Sequence, residues 1–232
     1  MSENFLFEQD GPIATITFNR PDRRNCLNAE VILEFERLVQ NVRDDRTVRV
    51  LIVTGAGNTF CAGADTSPLK GVTDPREQRK IFNQTAGGKW PRLIGRVFDV
   101  LSNLDQVTIG AINGHAVGGG WSFALAFDFA IAVEEAEFWV PEVDLDVPFR
   151  GLPAIVLSHR LGPWRAKEAI LMCRHYSASE LLLMGVLNKV VRKQDLMASV
   201  REMAETMARK PAGAVAASKR GINSVFFGQR PF

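Results

Sequence analysis

With 46% hydrophobic residues over 232 positions, the chain can bury one sizeable core and lies in the range of one large domain or two small ones. Its 28 basic and 26 acidic residues are intermixed and leave a net charge of +2, which argues against a stripe or tail for nucleic acid or an anionic membrane surface. Three widely spaced cysteines, Cys26, Cys61 and Cys173, argue against a disulfide framework, carry no zinc-ligand spacing and fit a reducing cytosol.

The N-terminus, MSENFLFEQDG, lacks the basic and apolar regions of a signal peptide, and no apolar run reaches the ~18 residues that span a bilayer. A cytoplasmic, membrane-free protein is expected. Residues 5–9 and 13–18 flank Asp10-Gly11 and predict a β-hairpin. Asn28 is placed to cap a helix in which Val31, Ile32, Phe35, Leu38, Val39 and Val42 recur at helical spacing. A strand apolar on both faces follows at 48–54, then a polar excursion over 66–90. A helix over 94–104, a strand over 107–112, a short buried helix over 121–127 and a strand over 129–133 come next. Beyond Gly151 the chain reads mostly as helices, interrupted by a strand at 186–191.

Two glycine-rich stretches stand out, FCAGAD at 60–65 and NGHAVGGGWS at 113–122, each after a β run and each expected to open a helix. Glycine lets a ligand approach the backbone without meeting a Cβ, and a following helix adds its positive end to the exposed N–H groups. Two such loops converging from different strands could hold one oxygen that becomes negative during reaction. Singly, either loop is an ordinary α/β corner.

Other motif readings fail on the residues. A dinucleotide fingerprint starting at Gly55 would need glycine where Phe60 stands, and no Gly-Lys-Ser/Thr follows either cluster. Ser122 or Cys61 with His115 lacks a nucleophile elbow, and His115 reads as a satisfied polar residue. Glu142, Asp144 and Asp146 on one strand lack the carbonyl and turn ligands of a calcium loop.

The stretches NRPDRRNCLN, FCAGAD, AINGHAVGGG, FWVPEVDL and YSASELLLMGVLNKVV, in this order across residues 12–192, resemble the crotonase family, the enoyl-CoA hydratase and isomerase superfamily. The resemblance implies an α/β fold, a crotonase-like spiral of ββα units at 1–192 with a helical C-terminal segment at 193–232, taken as one domain over 1–232. It also implies an acyl-CoA thioester substrate, no metal or redox cofactor, and a homotrimer or hexamer.

Carried onto this chain, the family pattern assigns the oxyanion-hole N–H groups to Ala64 and Gly119 and the acid/base to Glu142. Ala62, Thr66 and Cys26 match positions lining CoA, and Arg24 or Arg23 is assigned to the phosphates, solvated loop charge being the equal alternative. Ser122, with Trp121 beside it in the substrate-binding set, stands where family hydratases carry a first glutamate, so a one-carboxylate double-bond isomerase is favoured over a hydratase. Glu142 has a physical case too: the apolar Phe138, Trp139, Val140 and Pro141 before it should raise its pKa. Asp144 and Asp146 follow at spacing two, on the same side as Glu142 if the chain is extended; Asp146 is then a second acid/base or plain loop solvation. The rival from another class is a catalytically silent acyl-CoA-binding scaffold. The tail is shorter than the family's, and Phe226, Phe227 and Phe232 are expected to meet a partner subunit.

Overall fold

The computed structural model describes residues 3–82 and 90–227. The hairpin forms as β1 (Phe5–Asp10) and β2 (Ile13–Phe18), and α1 (Ala29–Asp44) follows, its first turn held by the Asn28 Oδ1 that accepts the Val31 N–H at 2.8 Å. Val31, Ile32, Phe35, Val39 and Val42 form its buried face. After β3 (Val50–Gly55) and β4 (Thr59–Cys61) come α2 (Pro75–Phe82) and α3 (Trp90–Ser102), so part of the polar excursion is helical. Residues 83–89 of it lie outside the described residues.

The next units are β5 (Val107–Ile112), β6 (His115–Val117) and α4 (Gly119–Ala126), then β7 (Phe129–Val133), β8 (Glu137–Trp139) and α5 (Leu152–Leu161). Helix α6 (Pro163–Leu171), strand β9 (Tyr176–Ser177), α7 (Ala178–Leu183), β10 (Lys189–Val191), α8 (Leu196–Ala208) and α9 (Ala212–Phe227) complete the order. Six strands form one sheet in the order β1-β2-β3-β5-β7-β10, and the short strands form a second, β4-β6-β8-β9. Each of the pairs β3–β4, β5–β6 and β7–β8 thus places its first strand in the large sheet and its second in the small one before a helix follows, a spiral of ββα turns. The large sheet is parallel from β2 onward, which explains why β3 and β5 are buried at every residue.

Phe18 is the centre of an aromatic cluster that joins the hairpin to α1, β4 and α4 through Phe5, Phe35, Phe60 and Phe123, with ring centroids 5.0 to 5.8 Å apart. The short strands β4, β6, β8 and β9 escape sequence reading because two or three residues carry no period. The expectation for the tail falls outside the description: Phe232 is beyond the described residues, as are the side chains of Phe226 and Phe227.

Candidate active site

Segments 24–27 and 61–65 run side by side. The Ala62 N–H donates to Arg24 O at 3.0 Å, the Leu27 N–H to Gly63 O at 2.7 Å, and the Asp65 N–H to Leu27 O at 2.8 Å. In a parallel bridge one residue bonds the two neighbours of its opposite, so Leu27 takes Gly63 and Asp65 and leaves the N–H of Ala64 facing away. Asn25 locks this arrangement from below. Fully buried and at φ 54°, it donates to Ala56 O (3.0 Å) and Thr59 O (2.7 Å) and accepts the Arg20 N–H at 2.9 Å.

The second loop pairs with the first through β4 and β6 and closes on it at glycines. A β-carbon on Gly63 would lie 2.5 Å from Val117 O and 3.1 Å from Gly119 N, and one on Gly120 would overlap Cys61 O. Gly118, at φ 49°, hydrogen-bonds through its N–H to Trp139 O at 2.9 Å, which continues the β6–β8 pairing of Val117 with Trp139. That bond draws β8 under the loop and delivers Glu142: a β-carbon on Gly118 would meet its Oε1 at 2.5 Å. Gly119 then opens α4, a helix buried at all eight residues, with no side-chain cap. Among the described residues the N–H groups of Ala64 and Gly119 have no protein acceptor, and a buried helix end in that condition calls for a ligand.

Glu142 is a partly buried residue whose Oε2 is fully buried without a hydrogen-bond partner. Burial raises its pKa from 4.5 to about 7, and no cation is among the causes. A carboxyl poised there beside unsatisfied N–H donors fits a general acid/base working next to a developing oxyanion.

Several expectations change. FCAGAD opens no α-helix; Asp65 Oδ1 takes the Ser67 N–H at 3.0 Å and the chain enters a single 3-10 turn, Ser67–Leu69. Trp121 is enclosed by protein. It is 1% exposed and packs on Phe138 and Tyr176 at 5.9 and 6.0 Å, so its indole belongs to the core. Ser122 is equally buried, and its Oγ donates to Gly118 O at 3.1 Å, one turn back in its own helix. Asp144 and Asp146 do not continue a strand beside Glu142. Leu145 and Val147 donate to Glu142 O and Asp146 to Val143 O, a tight turn in which Asp146 sits exposed at φ 56°. Asp144 meets the thiol of Cys173.

On the outer side, Asp65 gathers the basic loop: Arg23 lies at 3.4 Å and Arg20 at 4.0 Å, while Arg20 also donates to Cys26 O at 2.7 Å. Burial acts to raise the Asp65 pKa, yet hydrogen bonds from Ser67 and Cys26 and the charge of Arg23 outweigh it and the pKa is lowered. The Cys26 thiol is pushed up by burial and then by Asp65. Arg24, exposed at φ 50°, and Thr66, exposed, stand on the same rim as half-buried Ala62. Asn25, Asp65 and Gly118 are the residues sequence reasoning missed; the asparagine and the first glycine of the GGG run were visible, but their contacts were not.

A family model described as "Enoyl-CoA hydratase/isomerase" matches residues 8–227. The chain belongs to the enoyl-CoA hydratase/isomerase family. It is 35% identical over 223 residues to the "Short-chain-enoyl-CoA hydratase" of Clostridium acetobutylicum, covering 95% of this chain and 81% of that one. It is 36% identical over 220 residues to the "Carnitinyl-CoA dehydratase" of Citrobacter koseri, covering 94% and 80%. Among solved structures, an enoyl-CoA hydratase from Geobacillus kaustophilus superposes with a TM-score of 0.83 at 30% identity, covering 97% of this chain and 84% of that one. A monofunctional enoyl-CoA isomerase from M. smegmatis gives 0.80 at 27% identity, covering 99% and 96%. The crotonase fold and the hydratase/isomerase type of acyl-CoA enzyme expected from the sequence therefore hold. No helix among the described residues is long and apolar enough to cross a membrane.

Proposed function

We propose that this family member shifts the double bond of a 3-enoyl-CoA thioester to the 2-position, with Glu142 as the sole proton carrier. Its carboxylate takes a proton from C2; the electron pair moves onto the thioester oxygen, held by the N–H groups of Ala64 and Gly119; the resulting carboxylic acid returns the proton to C4. Bonds and charge balance with no external oxidant, so the reaction draws on no cofactor beyond the CoA carried by the substrate. Donors of this kind are worth about 3 to 4 kcal/mol each in transition-state stabilisation. The observation that carries the reading is the isolation of Glu142, beside a Ser122 whose hydroxyl is turned to Gly118 O rather than to the carboxyl.

A second reading is addition or removal of water across the same bond, supported by relatives named hydratase and dehydratase. The purified protein with 3-enoyl-CoA and with crotonyl-CoA, followed by the absorbance of the conjugated thioester, separates the two. Isomerisation faster than hydration and lost in Glu142→Gln is expected; hydration outpacing isomerisation overturns the assignment.

A further inference from the structure

A second cavity, about 760 Å³, lies between α9, α5 and the far end of α4. Helix α4 has eight residues, so this end is about 12 Å from the glycine loops. Phe127, Val156, Met207, Ala214 and Ile222 supply apolar walls, and among the described residues Asp128 is the only acidic one lining it. The size and lining are those of a small-molecule site, apolar with a few convergent polar groups.

Those polar groups are unequally satisfied. Lys219 spends its three donors on Asp128 Oδ2 (2.7 Å), Gln106 O (2.9 Å) and Leu101 O (3.3 Å). Asp128 also accepts from the N–H and Oγ1 of Thr108, so its charge is committed. Arg160 is the half-buried cation beside it, and exposed Lys210 also lines the cavity. Arg160 donates to Leu125 O, Phe127 O and Val186 O at 3.2 to 3.4 Å, bonds to neutral carbonyls that leave N–H groups over. The negative end of α4 offsets about half a charge at most. Burial lowers the Arg160 pKa while the charge of Asp128 opposes it.

We infer that this cavity is a binding site for a free aliphatic monocarboxylate, its carboxylate on the Arg160 fork and its chain lying along the solvent-accessible face of α9 between Ala214 and Ile222. One half-buried planar cation beside apolar walls, with Lys210 exposed at the rim, suits a carboxylate with a hydrocarbon tail; a nucleotide or free phosphate would leave its polar groups against Phe127 and Met207. The site stands apart from Glu142 and does not rest on the reaction proposed above.

Calorimetric titration with octanoate, decanoate and dodecanoate tests it, with decanol as the uncharged control. Saturable binding of decanoate at one site per chain is expected, about tenfold or more tighter than decanol, the ratio that hydrogen bonds to a charged group give. Ala214 and Ser218 are exposed on α9, so Ala214→Trp should fill the cavity, keep the melting temperature and weaken decanoate about tenfold or more. Arg160→Gln should remove the preference for decanoate over decanol. Absence of saturable binding by all three carboxylates, decanoate binding untouched by Ala214→Trp, decanol binding as tightly, or competitive displacement of decanoate by an acyl-CoA would each overturn the assignment. So would a concentration-dependent oligomer in which the cavity is closed to decanoate.

Discussion

Replacing Glu142 by glutamine tests the central claim about this site, because the two side chains have the same shape and only one ionises. The folded pKa of Glu142 is about 7 against 4.5 in an unfolded chain, and the cause is burial with no compensating cation. Between those values the folded protein holds a proton that the unfolded chain has lost, so stability falls as pH rises through the window and stays low above it. The shift is worth about 3 kcal/mol above about pH 8 and under about 1 kcal/mol near pH 5. Glutamine escapes this cost, so Glu142→Gln should be more stable than the parent by about 3 kcal/mol near pH 8.5, or about 6 to 12 °C in Tm at about 2 to 4 °C per kcal/mol. Near pH 5 the two should nearly coincide. Urea denaturation of both proteins across this range is the assay, with turnover measured alongside. Activity should fall by about 10² to 10⁴ in the variant, and in the parent kcat/KM should rise with pH through about 7 as the carboxylate form accumulates. Parallel stability curves for the two proteins at all pH values would show that Glu142 ionises as in water and would remove the argument for a poised base.

Three other substitutions probe the supports. Gly118→Ala puts a methyl at φ 49° against the Glu142 carboxyl; a loss of about 1 to 2 kcal/mol from the backbone alone is expected, larger in total, with the excess recovered in the Gly118→Ala/Glu142→Ala double variant, a cycle read by denaturation. Ser122→Ala removes only the bond to Gly118 O, so it should cost about 1 kcal/mol of stability and change kcat by less than about threefold; a hundredfold loss would make Ser122 a participant. Lys219→Met leaves Asp128 without its closest partner in a site 7% exposed, and a loss of about 3 kcal/mol by thermal unfolding is expected, at the low end because Thr108 and Arg160 remain.

What could be read in the sequence follows the strength of local periodicity. Helix α1 was legible to its cap because Asn28 and the spacing from Val31 to Val42 are local facts. The strands β3 and β5 were legible because burial on both faces demands unbroken apolar runs. The strand β8 and the turn after it were not. Three residues give no period, and the course of the chain from Glu142 to Val147 is set by carbonyl bonds and by Cys173, more than twenty residues away, so the extended reading of Asp144 and Asp146 had no local signal to correct it. Trp121 shows the converse. An indole next to a glycine loop reads as a ligand wall until its packing on Phe138 and Tyr176 is known.

The chemistry of the site follows from how the glycines are spent. Each close approach here replaces a side chain by backbone: Gly63 admits Val117 O and Gly119 N, Gly120 admits the Cys61 carbonyl, and Gly118 admits the Glu142 carboxyl. The result is a wall built largely from backbone in which, among the described residues, Glu142 Oε2 has no hydrogen-bond partner and the N–H groups of Ala64 and Gly119 have no protein acceptor. In the proposed reaction, Glu142 with its pKa raised to about 7 and the two N–H donors would act on opposite charges, the departing proton and the oxygen that receives its electrons. Putting a glutamate at Ser122 would add a second carboxyl within that wall and cannot leave the first unperturbed, since like charges in one desolvated site raise one pKa further. A single carboxyl free of that coupling fits the proposed reaction, which carries one proton out and back.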